Sequence, residues 1–235
     1  MALILTVVLV ATAVVVFLAF AGLATAREFA TLHPLQGIVE VRQGKAGFRP
    51  GTDGLVVRAG DLVRTGEDGR ARITYFDGSE TRLDFNTTFR LVELASLPDT
   101  PSGKIIEAEQ DGGRTFQRVR EITDSESRLD VSSPTAVASV RGTLYSWWVR
   151  PDATTVLWVL PDEEPGAGVV AMILQDGTEV EVSEGHGLVV LPDGRAGEIY
   201  ELNEFELNDP WVLFNLCELD RLEIDACLAE VERPR

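Results

Sequence analysis

Apolar and polar residues alternate along most of the chain after residue 35, and Asp-Gly pairs interrupt this alternation at short intervals. An Asp-Gly pair between two alternating segments is a strong signal for a β-hairpin turn, because both residues tolerate positive φ. Three pairs have alternating segments on both sides and predict hairpins: Asp77-Gly78, Asp176-Gly177 and Asp193-Gly194. The other pairs are Asp53-Gly54, Asp68-Gly69 and Asp111-Gly112.

Further strands are predicted at residues 37–41, 89–94, 104–109, 129–131, 142–149 and 154–160. The link Arg150-Pro151-Asp152-Ala153 reads as a turn with proline in a favoured place. No amphipathic helix is evident before about residue 203. Many short strands at this spacing indicate an all-β fold, either an antiparallel sandwich or roll or a short β-solenoid built of many hairpins. This domain is predicted to span residues 35–200.

The first 26 residues form a separate apolar segment. Residues 2–26 carry no charge, and a helix of that length would cross a hydrocarbon core of about 30 Å. We therefore predict a retained single transmembrane helix over residues 1–26. The Ala24-Thr25-Ala26 pattern leaves a cleaved signal, cut before Arg27, as the alternative.

The C-terminal part, residues 201–235, reads as an acidic and partly helical appendage. Asp209 followed by Pro210 has the pattern of an N-cap and first helical residue. We expect the helix to pack Trp211, Phe214 and Leu219 on the β domain. Cys217 and Cys227, the two cysteines of the chain, are spaced for a disulfide that would fit an oxidising compartment. Two unpaired thiols are the alternative.

The formal net charge of −17 argues against nucleic-acid binding, since such a surface repels phosphate backbones. The sequence contains no Ser-His-acid set, no G-x-S-x-G and no phosphate loop, and its two histidines lie far from the cysteines. We therefore predict a protein that is not an enzyme and that has no metal site and no cofactor.

Two ordered motif blocks carry a resemblance to a known family. The first block contains Gly60-Asp61, Thr65-Gly66 and Asp77-Gly78-Ser79, and the second runs through Pro134 to Arg141-Gly142-Thr143. Together they resemble the FecR domain family, with Ser133 standing where threonine is commoner. The resemblance implies an extracytoplasmic, non-catalytic, all-β domain. Founding members are single-span regulators whose outer part contacts the signalling domain of a transport receptor.

Arg141 lies at the head of a predicted buried strand. A guanidinium keeps its charge, so burial would demand a partner. We expect a structural role in which Arg141 pairs inside the domain, with Asp61 or Asp77, while Gly142 lets another segment pass closely. The alternative is an exposed arginine that binds a carboxylate ligand. The other motif residues are interpreted as structural as well.

Trp147 and Trp148 are adjacent in a predicted strand, so they point to opposite faces and one of them lies outside the core. The outer tryptophan is expected to be covered by the tail, and binding of a sugar or a protein is the alternative. As a whole, the sequence predicts a membrane-anchored, extracytoplasmic binding or signalling module for another envelope protein. A structural or glycan-binding envelope component is the alternative.

Overall fold

The computed structural model describes residues 26–100, 102–161 and 168–219. Most of these residues lie in β-strands, with two short helices near the end, which confirms the all-β class. In this part of the chain no helix has the length and apolar character needed to cross a membrane. The predicted N-terminal span of residues 1–26 lies outside the described residues except for Ala26, which opens the first strand.

The strands are β1 (Ala26–Arg27), β2 (Ala30–Gln36), β3 (Val39–Arg42), β4 (Arg49–Pro50), β5 (Leu55–Val57), β6 (Leu62–Thr65), β7 (Arg70–Tyr75), β8 (Glu80–Leu83), β9 (Thr88–Ser96), β10 (Lys104–Arg118), β11 (Arg128–Ser132), β12 (Ala136–Val140), β13 (Leu144–Val149), β14 (Thr155–Leu160), β15 (Val169–Leu174), β16 (Glu179–Ser183), β17 (His186–Val190) and β18 (Tyr200–Glu201). The helices are α1 (Glu204–Leu207) and α2 (Pro210–Glu218).

The strands form two sheets that share β10. Sheet A has the order β4-β3-β6-β9-β10-β11-β12-β15-β16, with β1 also paired to β9. Sheet B has the order β5-β2-β7-β8-β10-β13-β14-β17-β18. From β6 onward the spatial order largely follows the chain order in both sheets, because successive strand pairs alternate between them.

Strand β10 connects the two sheets, because it takes part in both. Its first part pairs with β9 in sheet A, whereas in sheet B residues 113–118 pair with β13 and residues 115–118 pair with β8. Gly113 lies where the strand changes sheets; its φ is +88°, and a Cβ there would lie 2.4 Å from the Cα of Thr87. The neighbouring Asp111-Gly112 pair is therefore inside a strand and not in a hairpin turn. After β10 the chain returns to sheet A, where β11 pairs in parallel with the start of β10, so the roll contains one solenoid-like turn.

The main core lies between the two sheets. It buries side chains of sheet B such as Leu32, Ile73 and Leu83 against side chains of sheet A such as Phe89 and Ile106, all with no exposed surface. The alternation read from the sequence places these residues on the inner faces, and removal of their apolar surface from water stabilises the fold.

A few polar groups are enclosed by this core. The hydroxyl of Tyr75 contacts the hydroxyl of Thr81 at 2.8 Å, and Thr81 donates to Oε1 of Gln117 at 2.5 Å. The hydroxyl of Tyr145 is buried and has no hydrogen-bond partner among the described residues. Burial raises the pKa of both tyrosines above their ordinary value of 10.0, although the bond to Thr81 lowers that of Tyr75.

The three hairpin turns predicted at Asp77-Gly78, Asp176-Gly177 and Asp193-Gly194 are present. They join β7 to β8 and β15 to β16, and they turn the chain after β17. The predicted turn at residues 150–153 is also observed, with Arg150 N–H donating to the Thr154 carbonyl at 2.9 Å. Strands β2 and β12 were not among the predicted strands. Strand β2 contains Pro34, and β12 consists of small residues next to Arg141.

The tail folds as the N-cap signal predicts. The carboxylate of Asp209 accepts from the N–H groups of Trp211 and Val212 at 2.9 and 3.3 Å, and Pro210 is the first residue of α2. The preceding helix α1 is fixed by a capping box between Asn203 and Glu206, which satisfies backbone N–H groups at its start. The described part of the tail therefore has a defined shape.

Candidate functional site

The first motif block forms the turn that enters β6. Asp61 is buried, and its Oδ2 accepts from the Arg58 N–H and from Nε2 of Gln43, each at 3.0 Å. Gly60 N–H donates to the carbonyl of Leu91 at 2.7 Å. Because both groups are used within the domain, Asp61 and Gly60 hold the turn against β9 and have a structural role.

Thr65 and Gly66 end β6 in the same manner. The buried hydroxyl of Thr65 donates to the Asp84 carbonyl at 2.6 Å and accepts from the Thr87 N–H at 2.9 Å. Gly66 N–H donates to the carbonyl of Ile38 at 2.8 Å. These bonds fix the position of residues 84–87.

The Asp77-Gly78-Ser79 turn is tied to β10. Asp77 accepts from the Ser79 N–H at 2.9 Å, from the Ser79 hydroxyl at 2.8 Å, and forms an ion pair with Lys104 at 2.5 Å. The Ser79 hydroxyl in turn accepts from the Arg120 N–H at 3.0 Å. The carboxylate of Asp77 is thus used inside the domain.

The second motif block marks the passage of the chain from sheet A to sheet B. The carbonyls of Arg141 and Thr143 accept from the N–H groups of Ile122 and Val119, at 2.7 and 3.0 Å. Gly142 has a φ of +136°, and a Cβ there would lie 2.8 Å from the Cα of Glu121. As expected, Gly142 allows a close backbone approach, and the block locks the segment that leads from β10 to β11.

The prediction that Arg141 forms an ion pair with Asp61 or Asp77 is wrong. Its side chain is exposed and donates to the backbone carbonyl of Asp124 at 2.5 Å, whereas Asp61 and Asp77 are held by other groups. The error has a simple cause, since β12 ends at Val140 and β13 begins at Leu144. Arg141 therefore lies in the crossing between the strands and its guanidinium can reach solvent.

Pro134 lies in the exposed turn between β11 and β12. Its carbonyl accepts from Nε2 of Gln175 at 2.7 Å. Next to it, the hydroxyls of Ser133, Thr135 and Thr155 form a short hydrogen-bonded group, with distances of 2.7 Å between the two threonines and 2.9 Å from Thr155 to Ser133. These contacts tie the hairpin of sheet A to β14 of sheet B.

Trp147 and Trp148 point to opposite faces of β13, as predicted. Trp147 is fully buried in the main core, whereas Trp148 is half-buried on the outer face of sheet B. There it packs with a second apolar cluster that includes Trp158 and the tail residues Trp211 and Val212. The tail therefore covers a large part of the outer face, and Phe214 and Leu219 join the same cluster.

A chain of ion pairs fastens the tail to the domain. Arg70 pairs with Asp84 at 3.1 Å, Arg114 pairs with Asp84 at 3.1 Å, and Arg114 contacts both carboxylate oxygens of Asp209 at 2.9 and 3.0 Å. The guanidinium of Arg70 also lies 5.1 Å from the centroid of the Trp211 ring. Both contacts to Asp209 come from Nη1 of Arg114, while its Nη2 bonds to Asp84. Charge-assisted hydrogen bonds are about twice as strong as neutral ones, so this arginine holds the tail in one orientation.

Beside this network lies an open cleft of about 950 Å³ between the outer face of sheet B, the loop at residues 84–86 and helix α1. Its aromatic lining comes from Trp148, Trp158, Tyr200, Phe85 and Phe205. Nε1 of Trp158 donates to the hydroxyl of Tyr200 at 2.9 Å, and burial raises the pKa of Tyr200. The cleft thus places Trp148, the tryptophan predicted to lie outside the core, beside aromatic side chains from distant parts of the chain.

Features of metal or hydrolytic sites are not apparent in the part of the chain that the structure describes. The described residues contain no group of three histidine, cysteine or acidic side chains arranged to hold a metal ion. His33 contacts Asp53 at 2.7 Å, and His186 contacts the carbonyl of Glu184 at 2.9 Å. Cys217 lies in α2 and is not a free thiol; Cys227 lies outside the described residues, so the pairing of the two stays a prediction.

Sequence reasoning missed several residues of the cleft. Arg114, Asp84 and Asp209 are far apart in sequence, and their meeting depends on β10 passing into sheet B. Phe205 was not predicted as a site residue because it lies in the acidic tail. The spacing of Asn203 and Glu206 is that of a capping box, and this signal could have indicated an ordered turn around Phe205.

The fold and the motif geometry together define a two-sheet β domain with a helical segment packed on one outer face. Residues 61–161 match the family model described as "FecR protein". The resemblance to the FecR domain family that was drawn from the two motif blocks is thereby confirmed over residues 61–161.

The solved structures that are similar to the chain include two crystal structures of a "putative anti-sigma factor" from Parabacteroides distasonis ATCC 8503. One has 17% sequence identity and a TM-score of 0.48, and the match covers 66% of this chain and 63% of that chain. The other has 18% identity and a TM-score of 0.47, with coverage of 65% and 64%. The match thus spans less than two thirds of the length of either structure. No curated protein matches the sequence.

Proposed function

We propose that the chain is a FecR-like binding and signalling module that is held at the membrane by its N-terminal segment and recognises another envelope protein without catalysing a reaction. The FecR domain at residues 61–161 supports a signalling-related role. The apolar character of residues 2–26 supports the anchor, and the FecR match supports an extracytoplasmic position for the β domain.

The observation that carries the partner proposal is the edge strand β16. Five strands have a partner on one side alone among the described residues, and β1, β4, β5 and β18 have only two or three residues each, whereas β16 has five. Strand β16 pairs with β15 on one side, and no described residue pairs with its other side. A long open edge can accept a strand from another protein through backbone hydrogen bonds.

The orientation of the β16 backbone follows from its ladder with β15. Leu174 N–H donates to the Thr178 carbonyl at 2.8 Å, and Glu184 N–H donates to the Gly168 carbonyl at 2.9 Å. Bonding alternates along an antiparallel pair, so Val180 and Val182 bond to β15. The backbone groups of Glu179, Glu181 and Ser183 therefore point outward, towards an incoming strand.

The side chains of β16 determine which partner strands it favours. Glu179 and Glu181 are exposed on one face of β16. Charges on an edge discourage non-specific pairing, and opposite charges across a strand pair stabilise it. The partner strand is therefore expected to carry lysine or arginine opposite these two glutamates.

Photo-crosslinking in the native cell envelope tests this proposal. A photoreactive residue at Glu179 should capture one envelope protein, and mass spectrometry should place the crosslink in a strand of that protein. The control carries the same residue at Arg64, which is exposed on the central strand β6 of the same sheet. Equal capture at both positions, or capture at neither, would contradict recognition through the β16 edge.

A further inference from the structure

The cleft lies on the outer face of sheet B and contains no residue of β16, which is an edge of sheet A. It has an open volume of about 950 Å³, which lies within the range of ligand sites in proteins. Its floor is formed by Trp148, Val156 and Trp158 of β13 and β14, together with Val189 of β17. The site is thus built mainly on paired strands, and paired strands hold side chains in place.

The most informative residue of the cleft is Phe205. Its side chain is 82% exposed, yet its backbone is fixed, because its N–H donates to Oδ1 of Asn203 at 2.8 Å and Glu206 closes the capping box at 3.0 Å. An apolar ring that projects into water from a fixed backbone at the mouth of an aromatic cleft gains stability when a ligand covers it.

The polar groups around the aromatic rings supply both hydrogen-bond donors and acceptors. Asp111 and Glu206 offer carboxylate acceptors, Asn86 offers both kinds of group, and Arg150 offers donors. Arg150 is exposed and lies 4.6 Å from the centroid of the Trp148 ring, so it can leave that ring face at little cost. The other cleft arginine, Arg114, is already paired with Asp84 and Asp209.

The topology of the floor disfavours a bound peptide strand. Strands β13 and β14 are paired on both sides, so their backbone groups are not available to an extended peptide. A sugar ring does not need them, since it presents an apolar C–H face that can lie on an aromatic ring and hydroxyl groups that bond to side chains. The cleft offers these two kinds of surface side by side.

We propose that this cleft binds a neutral oligosaccharide, with sugar rings lying on Trp148 and Phe205 and hydroxyl groups bonded to Asp111, Glu206 and Arg150. This inference does not rest on partner recognition through β16. Loss of the edge function would leave it intact, and the reverse also holds.

Isothermal titration calorimetry of the purified chain of 235 residues, in a detergent without a sugar headgroup, tests the proposal. The probes are cellotetraose, maltotetraose and the β-linked tetramer of N-acetylglucosamine. At least one should bind with a dissociation constant of about 1 mM or below. Phe205→Ala should weaken that binding by about tenfold, since burial of an aromatic side chain is worth at least that factor.

Three variants separate a binding role from a structural one. Phe205→Trp should keep the affinity, because it keeps an aromatic face, and Asp111→Asn should weaken it. Ile38→Ala removes another exposed apolar side chain, 59% exposed and outside the cleft, and should change nothing. The proposal is overturned if none of the probes binds at about 10 mM, if Phe205→Ala binds as tightly as the parent chain, or if only a lysine-rich control peptide binds.

Discussion

The close backbone approach at Gly142 predicts that a side chain at this position destabilises the fold. In Gly142→Ala the new Cβ would lie 2.8 Å from the Cα and 3.3 Å from the nitrogen of Glu121. Both contacts are to backbone, so the segment at residues 119–122 must move. The φ of +136° also lies in a region that alanine rarely adopts.

The expected cost follows from these two effects. A strained φ costs about 1–3 kcal/mol. Displacement of the segment weakens the bonds from Val119 and Ile122 to the carbonyls at 143 and 141, each worth about 1 kcal/mol. We therefore expect Gly142→Ala to lower the free energy of unfolding by about 4 kcal/mol, which for a chain of this size lowers Tm by roughly 8–16 °C.

The assay is urea unfolding followed by tryptophan fluorescence, and Gly177→Ala is the matched control. Gly177 also has a positive φ, +84°, but a Cβ there would meet nothing within 4 Å. The control should therefore cost only about 1–2 kcal/mol. If Gly142→Ala costs no more than Gly177→Ala, the close approach at the crossing does not stabilise the fold and our interpretation of the motif is wrong.

Three other predictions concern single groups. Arg141→Ala removes one bond from an exposed guanidinium to the Asp124 carbonyl, so the free energy of unfolding in urea should fall by about 1 kcal/mol or less; a loss of several kcal/mol would restore the idea of an internal ion pair. Burial raises the pKa of Tyr75 and Tyr145 above 10.0. The contribution of these buried neutral hydroxyls to the free energy of unfolding is therefore complete below pH 10 and is lost as the pH rises above 10 and the hydroxyls ionise. Urea titrations across alkaline pH should show a smaller loss of stability in Tyr145→Phe than in the parent chain, whereas Tyr75→Phe should cost about 1 kcal/mol at neutral pH because it loses the contact with Thr81. Cys217 and Cys227 should resist alkylation in protein from native membranes until a reductant is added, and free alkylation of both would exclude the disulfide.

Local signals in the sequence located much of the fold. The turns at Asp77-Gly78 and Asp176-Gly177 need only the conformational tolerance of two residues, and the start of α2 needs only the capping chemistry of Asp209 and Pro210. Both kinds of signal act over a few residues, so neither depends on the tertiary structure. The same holds for the two faces of β13, since adjacent residues in a strand alternate.

The joint at β10 could not be derived in that way. The Asp111-Gly112 pair has the sequence of a hairpin turn, but β10 continues through it. Thr87 packs against Gly113, and the strand finds new partners in β8 and β13. Such pairing connects distant residues, and a local pattern cannot specify it. The ion-pair network of Arg114 follows from the same joint, which is why the cleft was not evident from the sequence.

The position of Arg141 shows a related limit. Small apolar neighbours on both sides suggested burial, yet residues at a crossing between sheets are not part of either ladder. The backbone of Arg141 is held by Ile122 while its side chain extends outward to the carbonyl of Asp124. The motif is thus structural through its backbone and through Gly142, and the charge of the arginine has a smaller part.

The most direct test of the proposed function is the effect of Glu181→Pro on capture of the envelope partner by the crosslinker at Glu179. The N–H of Glu181 points away from β15, so proline there should block an incoming strand and leave the β15–β16 ladder intact. Glu181→Ala removes the charge but keeps the N–H. We predict that Glu181→Pro abolishes capture at unchanged Tm while Glu181→Ala retains most of it. Full capture by a folded Glu181→Pro chain would contradict recognition through the open edge of β16.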